Sequence, residues 1–265
     1  MKRIISVLNL VTLLFAIIVS YLVNGKHSGL PSISSISAKY DTLITPAGYT
    51  FAIWGLIYLA MLVFSIYHLR ESFKKESSAD FIPKINCWFM IANLANAAWV
   101  VAFTNQMIGI SVLIMLVLFI SLLKVVININ MEKWDAPVPV IAFIWWPFSL
   151  YFGWINMALI ANISAWLTFL GWTGAPLDPT SWTIIILLVA AAIFITMTWT
   201  RNMREYASVG AWGIIGVAVK NWNTQPSIAW TAVIIAVIIL INTGVHGYKN
   251  RATAPFSRRI KPLGS

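Results

Sequence analysis

The chain has 265 residues, of which 60% are hydrophobic and only 10% are charged, and its formal net charge is +10. Soluble domains carry about 25% charged residues, so a chain with this composition and a mean hydropathy of +0.82 cannot cover itself with polar surface. The composition therefore excludes a soluble globular protein and a disordered one. Apolar runs of about 20 residues indicate helices that cross a lipid bilayer.

Eight apolar segments predict an all-α, polytopic membrane bundle. In chain order they cover about residues 4–23, 47–69, 85–105, 107–129, 138–160, 183–200, 205–219 and 227–247. The seventh is the weakest, because Gly210, Gly213 and Gly216 dilute its hydrophobicity, and seven spans is the alternative count. Small residues also allow helices to approach closely in lipid. We expect this stripe to pack against a neighbouring helix, either within the chain or across a dimer.

The distribution of Lys and Arg favours eight spans with both termini in the cytoplasm. In that arrangement only Lys26, Lys39 and Lys220 of the 18 basic residues lie outside, and the other 15 lie on inner segments. Cytoplasmic loops of membrane proteins carry such an excess. The positive charge is thus explained by topology and by anionic lipid headgroups, and we expect no nucleic acid partner.

The predicted spans are poor in the side chains that ion coupling and catalysis use. None of the eight carboxylates lies near the centre of a span, where ionisable groups usually mark proton relays. The single cysteine, Cys87, excludes an internal disulfide. We therefore predict no catalytic residue and no metal ligand, which argues against a pump and against most enzymes.

Aromatic side chains are the most informative feature of the predicted spans. Eight of the 14 Trp residues fall near predicted interfaces, as in an aromatic belt. Deeper residues share helix faces at similar depth on spans two, three and five: Phe51, Trp54 and Tyr58; Asn96, Trp99 and Phe103; Tyr151 and Trp154. These faces predict either a pocket for a flat apolar ligand, with an amide at its bottom, or a packed aromatic core with an interhelical Asn hydrogen bond. Pro147 is also expected to kink span five.

The same segments resemble the TspO/MBR family, the tryptophan-rich sensory and translocator proteins related to the peripheral benzodiazepine receptor. Residues 46–58 read PAGYTFAIWGLIY, residues 96–103 read NAAWVVAF and residues 146–154 read WPFSLYFGW. They are similar to the family's P-P-G-W-V-F-G-P-V-W-T-x-L-Y, N-x-x-W-x-x-x-F and P-Y-x-x-W patterns. Two departures are that the step from Phe51 to Trp54 is one residue short, and that Tyr151 occupies the place of a ligand-facing Trp.

The resemblance implies two parts in the chain. Residues 1–165 would form a TspO-like core of five transmembrane helices. Residues 166–265 would form a C-terminal transmembrane extension of about three helices, followed by a basic cytoplasmic tail. The family's core holds a cavity under the loop between its first two helices, and family members are commonly homodimers.

The resemblance also implies a function. Family ligands are porphyrins and related tetrapyrroles, cholesterol in some members, and synthetic isoquinolines. The residues themselves indicate no cofactor, and the resemblance implies only that a porphyrin or tetrapyrrole is a candidate; membrane lipid is the expected surroundings. The ligand-binding residues carried over by position are Phe51, Trp54, Tyr58, Asn96, Trp99, Phe103, Tyr151 and Trp154. The role would be sensing, sequestration or translocation. The alternatives are a channel-like or uniport transporter of a small hydrophobic or neutral solute, and a tetrapyrrole- or lipid-modifying enzyme that relies on Trp and Tyr redox chemistry.

The charge asymmetry generates a test of orientation. In a background without Cys87, a cysteine at Ser35 should react with a membrane-impermeant thiol reagent in intact cells, because residues 24–46 are predicted to lie outside. A cysteine at Ser77 should stay unlabelled until the cells are opened. The opposite labelling pattern would show that the bundle is inserted the other way round.

Overall fold

The computed structural model describes residues 2–24, 29–74, 81–134 and 136–251. Its helices are α1 (Lys2–Asn24), α2 (Ile33–Lys39), α3 (Ile53–Phe73), α4 (Phe81–Ile85), α5 (Trp88–Thr104), α6 (Ile108–Asn128), α7 (Val138–Val140), α8 (Trp146–Phe169), α9 (Pro179–Arg201), α10 (Arg204–Asn221) and α11 (Pro226–Lys249). A 3₁₀ turn, Gly48–Ala52, leads into α3, and a π-helical turn, Ile141–Trp145, joins α7 to α8. Lys26, Ser77 and the basic tail after residue 251, which the topology prediction uses, lie outside the described residues.

Six of these helical segments are long and apolar enough to cross a membrane. They are Lys2–Val23, Gly48–Phe73, Ile108–Asn128, Val138–Phe169, Pro179–Arg201 and Pro226–Lys249. Helix α5 is apolar but has only 17 residues, and α10, diluted by glycine, is not among the six. The predicted all-α membrane bundle is confirmed, and each of the eight predicted segments corresponds to one long helix. The count of eight spans and the orientation of the termini stay predictions.

Two predicted loops are partly helical, which corrects the sequence interpretation. Span five was expected to end near residue 160, with a loop over 161–182, but α8 continues to Phe169. Residues 161–169 contain no Gly or Pro, and the first residue that stops a helix is Gly171, with a φ of +77°. The outer loop at 24–46 contains α2, whose first turn is capped by Ser32, because its Oγ accepts a hydrogen bond from the Ser35 N–H at 3.2 Å.

The expected distortion near Pro147 is present one turn before the proline. Residues Ile141–Trp145 form a π-helical turn immediately ahead of α8. Proline has no N–H and its ring clashes with the carbonyl four residues earlier, here that of Phe143. The helix accommodates this by widening one turn rather than breaking.

The contacts between helices place α8 between the helices that precede it and the last three helices of the chain. Helix α1 packs on α3 and α5, α5 packs on α6, and α8 contacts α3, α6 and α10, while α9, α10 and α11 pack on one another. We refer below to the end of the bundle where α1 begins and α3 ends as the N-terminal end, and to the opposite end as the α2 end.

The small-residue stripe of α10 packs within the chain, which decides between the two alternatives for that stripe. A Cβ at Gly210 would lie 2.4 Å from the Phe194 ring of α9, and one at Gly213 would lie 3.1 Å from Met157 of α8. On the facing surface of α8, a Cβ at Gly153 would lie 2.7 Å from the Tyr206 carbonyl oxygen. The glycines thus allow α8, α9 and α10 to approach closely.

Adding one methyl group should lower stability at a glycine that is closely packed and leave stability unchanged or higher at one that is not. Gly210→Ala should lower the melting temperature in detergent, because overpacking costs about 1–3 kcal/mol. Gly244→Ala on α11 is the matched control, since a Cβ there meets no atom within 4 Å and alanine favours a helix. Equal melting temperatures for the two variants would show that α9 and α10 do not pack as described.

Candidate ligand site: an aromatic pocket beneath α2

Five of the eight predicted site residues line one cavity. They come from the 3₁₀ turn, α3, α5 and α8: Phe51, Trp54, Trp99, Phe103 and Trp154. Helical periodicity places each of them on the inward face of its element. The packing of α3 on α8, and of α1 on both α3 and α5, brings the three faces together. Their part in ligand binding stays a prediction.

The aromatic rings of the pocket stack on one another. The ring centroids of Trp54 and Trp99 are 6.2 Å apart with an interplanar angle of 27°, and Trp99 stacks on Phe103 at 5.1 Å. Phe51 meets Trp154 edge to face at 5.9 Å. All three separations lie in the range in which aromatic pairs attract each other. The sequence left a pocket and a packed aromatic core as alternatives, and the stacked rings of Trp54 and Trp99 beside a cavity combine features of both.

The cavity lies beside this stack and is covered by α2. Met157, Ala158 and Ala161 of α8 form one wall, and Ile33 and Ser37 of α2 lie over it. The free volume is about 30 Å³, whereas one buried water needs about 10–15 Å³. At this volume the cavity has room for a water or two, so a larger ligand requires α2 or an indole ring to move.

The remaining three predicted residues form a hydrogen-bonded cluster at the edge of the pocket. Asn96 lies one helical turn before Trp99, and its Nδ2 donates to the Tyr151 hydroxyl at 2.8 Å and to the Tyr58 hydroxyl at 3.4 Å. The Tyr58 hydroxyl also pairs with Ser20 Oγ at 2.7 Å. The amide N–H groups of Asn96, the amide expected at the bottom of the pocket, are thus engaged within the protein.

Asn162 is a pocket residue that the sequence analysis missed. Its Oδ1 accepts a hydrogen bond from Trp99 Nε1 at 2.9 Å, and its Nδ2 donates to Ser111 Oγ at 2.9 Å. Ending span five at residue 160 placed Asn162 in a loop. The available signal was its spacing, because Asn162 follows Trp154 by eight residues and therefore shares its helix face.

Three polar atoms around the pocket are buried and have no hydrogen-bond partner in the described part of the chain. They are the indole Nε1 of Trp54, that of Trp154, and Oδ1 of Asn96. An unpaired buried polar group costs about 1–3 kcal/mol. Two N–H donors and one carbonyl acceptor are therefore available to a ligand or to water.

The segment that enters the pocket is held on α10. The Ala47 N–H donates to the Gly216 carbonyl at 3.0 Å, and Trp212 Nε1 donates to the Thr50 carbonyl at 3.3 Å. A Cβ at Gly216 would lie 2.3 Å from Thr50 Cγ2, so only glycine permits this approach. Residues 45–50 consequently lie directly against the helix.

Two further contacts continue this attachment at the α2 end. Asn221 Nδ2 donates to the Leu43 carbonyl at 2.8 Å, and Lys220 Nζ pairs with Asp41 Oδ1 at 2.6 Å. The ion pair is partly exposed and contributes little by itself. It lies next to the Asn221–Leu43 hydrogen bond in the sequence, so both contacts attach the same segment to the end of α10. Helix α10 therefore positions residues 41–50, the segment that leads directly to Phe51 in the pocket.

The fold and the pocket together define a polytopic helical membrane protein with an aromatic site near one end of its bundle. A family model described as TSPO-like protein matches residues 6–245. This is most of the chain, and the chain belongs to the TSPO-like protein family. The match continues through α9 and α10 and into α11, beyond the residues 1–165 that carry the resemblance in the sequence. No curated protein and no solved structure matches the chain.

The bond between Trp99 and Asn162 can be tested by a double-mutant cycle on the free energy of unfolding. Asn162→Leu should destabilise the protein by about 1–3 kcal/mol, because it leaves the Trp99 N–H buried without an acceptor. In a Trp99→Phe background the same change should cost clearly less, since the donor is already gone. Additive effects of the two substitutions would show that the two side chains are not paired.

Proposed function

We propose that the protein binds a flat hydrophobic small molecule of the tetrapyrrole class in the pocket beneath α2, for sensing, sequestration or translocation. The observation that carries the proposal is the convergence of Trp54, Trp99 and Trp154 on one small cavity, with two indole N–H groups left without partners in the described chain. Family membership supports a site of this kind in the same helices.

The chemistry of the lining suits a conjugated ligand with polar substituents. An aromatic plane stacked on an indole gains about 0.5–1.5 kcal/mol beyond its buried area. A carbonyl, carboxylate or ring nitrogen on the ligand could accept a hydrogen bond from Trp54 or Trp154, for about 0.5–1.5 kcal/mol each. Trp99 already donates to Asn162, so it would serve as a fixed wall.

Access is proposed to be through α2. This helix has only seven residues and is fastened at its end by exposed contacts with the turn between α5 and α6. Lys39 Nζ and the Tyr40 hydroxyl both donate to Gln106 Oε1, the latter at 3.2 Å. Bonds between exposed groups are readily exchanged for bonds to water, so the main cost of displacing α2 is the exposure of Ile33 and Ile36, which are 5% and 2% exposed in this structure. In the predicted orientation the pocket then opens to the outside.

Three outcomes in proteoliposomes separate this proposal from its alternatives. Saturable protoporphyrin binding without flux favours a binding protein that senses or sequesters its ligand. Flux of a small hydrophobic or neutral solute favours a channel-like or uniport transporter. Formation of a product from a tetrapyrrole or a lipid favours a membrane enzyme.

The pocket is tested by titrating purified protein with protoporphyrin and following tryptophan quenching and the porphyrin absorption band. Trp54→Ala should weaken binding at least tenfold, which corresponds to about 1.4 kcal/mol, because it removes a stacking surface and a donor. Trp54→Phe should cost less, since it keeps an aromatic face.

Trp230→Phe is the matched control, because Trp230 is 57% exposed on α11 and lies outside the pocket. Its affinity should equal that of the wild type. Equal affinities for the wild type, Trp54→Ala and Trp99→Ala would contradict the proposal and leave the aromatic cluster as a packed core.

A further inference from the structure

Buried polar side chains continue from the pocket toward the N-terminal end of the bundle, between α1, α3 and α5. Asn9, Ser65 and His68 are each 0% exposed, and Asn93 and Asn96 are each 1% exposed. Polar side chains buried between membrane helices are costly unless they find hydrogen-bond partners. None of these except Asn96 belongs to the pocket described above.

Helix periodicity, together with the side-chain contacts at the two ends of the α1–α3 interface, indicates that these residues lie along one line. Helices α1 and α3 are antiparallel. Ser20 of α1 is hydrogen-bonded to Tyr58 of α3 at one end, and the Arg3 guanidinium of α1 lies 4.9 Å from the Phe73 ring centre of α3 at the other. This register places Asn9 level with His68. Ser65 follows Tyr58 by seven residues and so shares its face of α3.

Helix α5 completes the line from the other side. Asn93 Nδ2 donates to the backbone carbonyl of Asn9 at 3.4 Å and to Thr12 Oγ1 at 3.2 Å. Asn96 lies three residues further along α5 and bonds to Tyr58. The polar line therefore extends from His68 and Asn9 to the edge of the aromatic pocket.

Several polar atoms on this line have no partner within the described residues. They are both side-chain atoms Oδ1 and Nδ2 of Asn9, Oγ of Ser65, and both ring nitrogens of His68. In a bilayer the surrounding hydrocarbon cannot satisfy them. Buried water molecules satisfy such groups in proteins, each making about two to four hydrogen bonds to polar neighbours.

We propose that Asn9, Ser65 and His68 bind a short chain of water molecules inside the bundle, and that Asn93 and Asn96 extend it to the floor of the aromatic pocket. Such a chain supplies donors and acceptors to every unpaired atom on the line. The proposal does not depend on which ligand, if any, occupies the pocket.

Two buried methionines provide a matched pair of reporters. Met61 and Met115 are both 0% exposed, but Met61 lies on α3 between Tyr58 and Ser65, on the same face, whereas Met115 lies on α6. Millisecond X-ray radiolysis generates hydroxyl radicals from water, including bound water, and converts nearby Met to its sulfoxide. We expect Met61 to be oxidised several-fold faster than Met115 in the folded protein, as measured by mass spectrometry. Equal protection of both would overturn the proposal.

A pair of substitutions links the labelling to the polar atoms. Asn9→Leu with Ser65→Ala should reduce Met61 oxidation to the Met115 level, because the water loses its partners. Ser121→Ala is the control, since Ser121 is buried on α6 and bonds to its own helix at Val117 O, 2.7 Å away. It should leave the Met61 rate unchanged.

An interface without water would give a different combination of melting temperature and Met61 oxidation. If the interface is dry, replacing unpaired polar groups by apolar ones raises the melting temperature and leaves Met61 oxidation as slow as in the wild type. If the double variant does not fold, Ser65→Ala alone gives the same comparison. An unchanged, fast Met61 rate in the folded variant would show that the water has other partners and would contradict the assignment of Asn9 and Ser65.

Discussion

Polar atoms buried in this bundle must find their partners inside the protein, because the hydrocarbon around it offers none. This constraint organises the site. Trp99 is held to α8 by its bond to Asn162, and Asn96 joins α5 to α8 through Tyr151. Trp54 stacks on Trp99 but makes no hydrogen bond to the described chain through its indole N–H. One wall of the pocket is therefore fixed by hydrogen bonds, whereas the facing indole of Trp54 is held by ring contacts alone.

The last three helices contribute to the pocket through backbone contact rather than through lining residues. Gly216 lets the chain at Ala47 and Thr50 lie directly on α10, and that chain leads to Phe51. The family match also continues through these helices. The two predicted parts of the chain are thus in contact where the aromatic pocket begins, and a substitution in α10 would alter the pocket without changing a residue that lines it.

The sequence predicted the features that depend on periodicity, and missed those that depend on helix ends and side-chain packing. Long apolar runs indicated the eight long helices, and the spacing of Trp54, Trp99 and Trp154 indicated inward faces. Helix α2 escaped detection because seven residues with a Ser cap are too short for an apolar pattern. Asn162 escaped because apolar residues without a stop signal extended α8. That Trp54 and Trp99 touch is set by the approach of α3 and α5, which no local pattern encodes.

The central claim is that a ligand reaches the aromatic pocket by displacing α2. Ser37 of α2 and Ala158 of α8 both line the cavity, so cysteines at these two positions, in a Cys87→Ser background, are the pair to join with a short reducible crosslinker. The measurement is protoporphyrin binding before and after the link is cleaved. The account predicts that the linked protein does not bind and that reduction restores binding. Equal binding in the linked and reduced forms would contradict it.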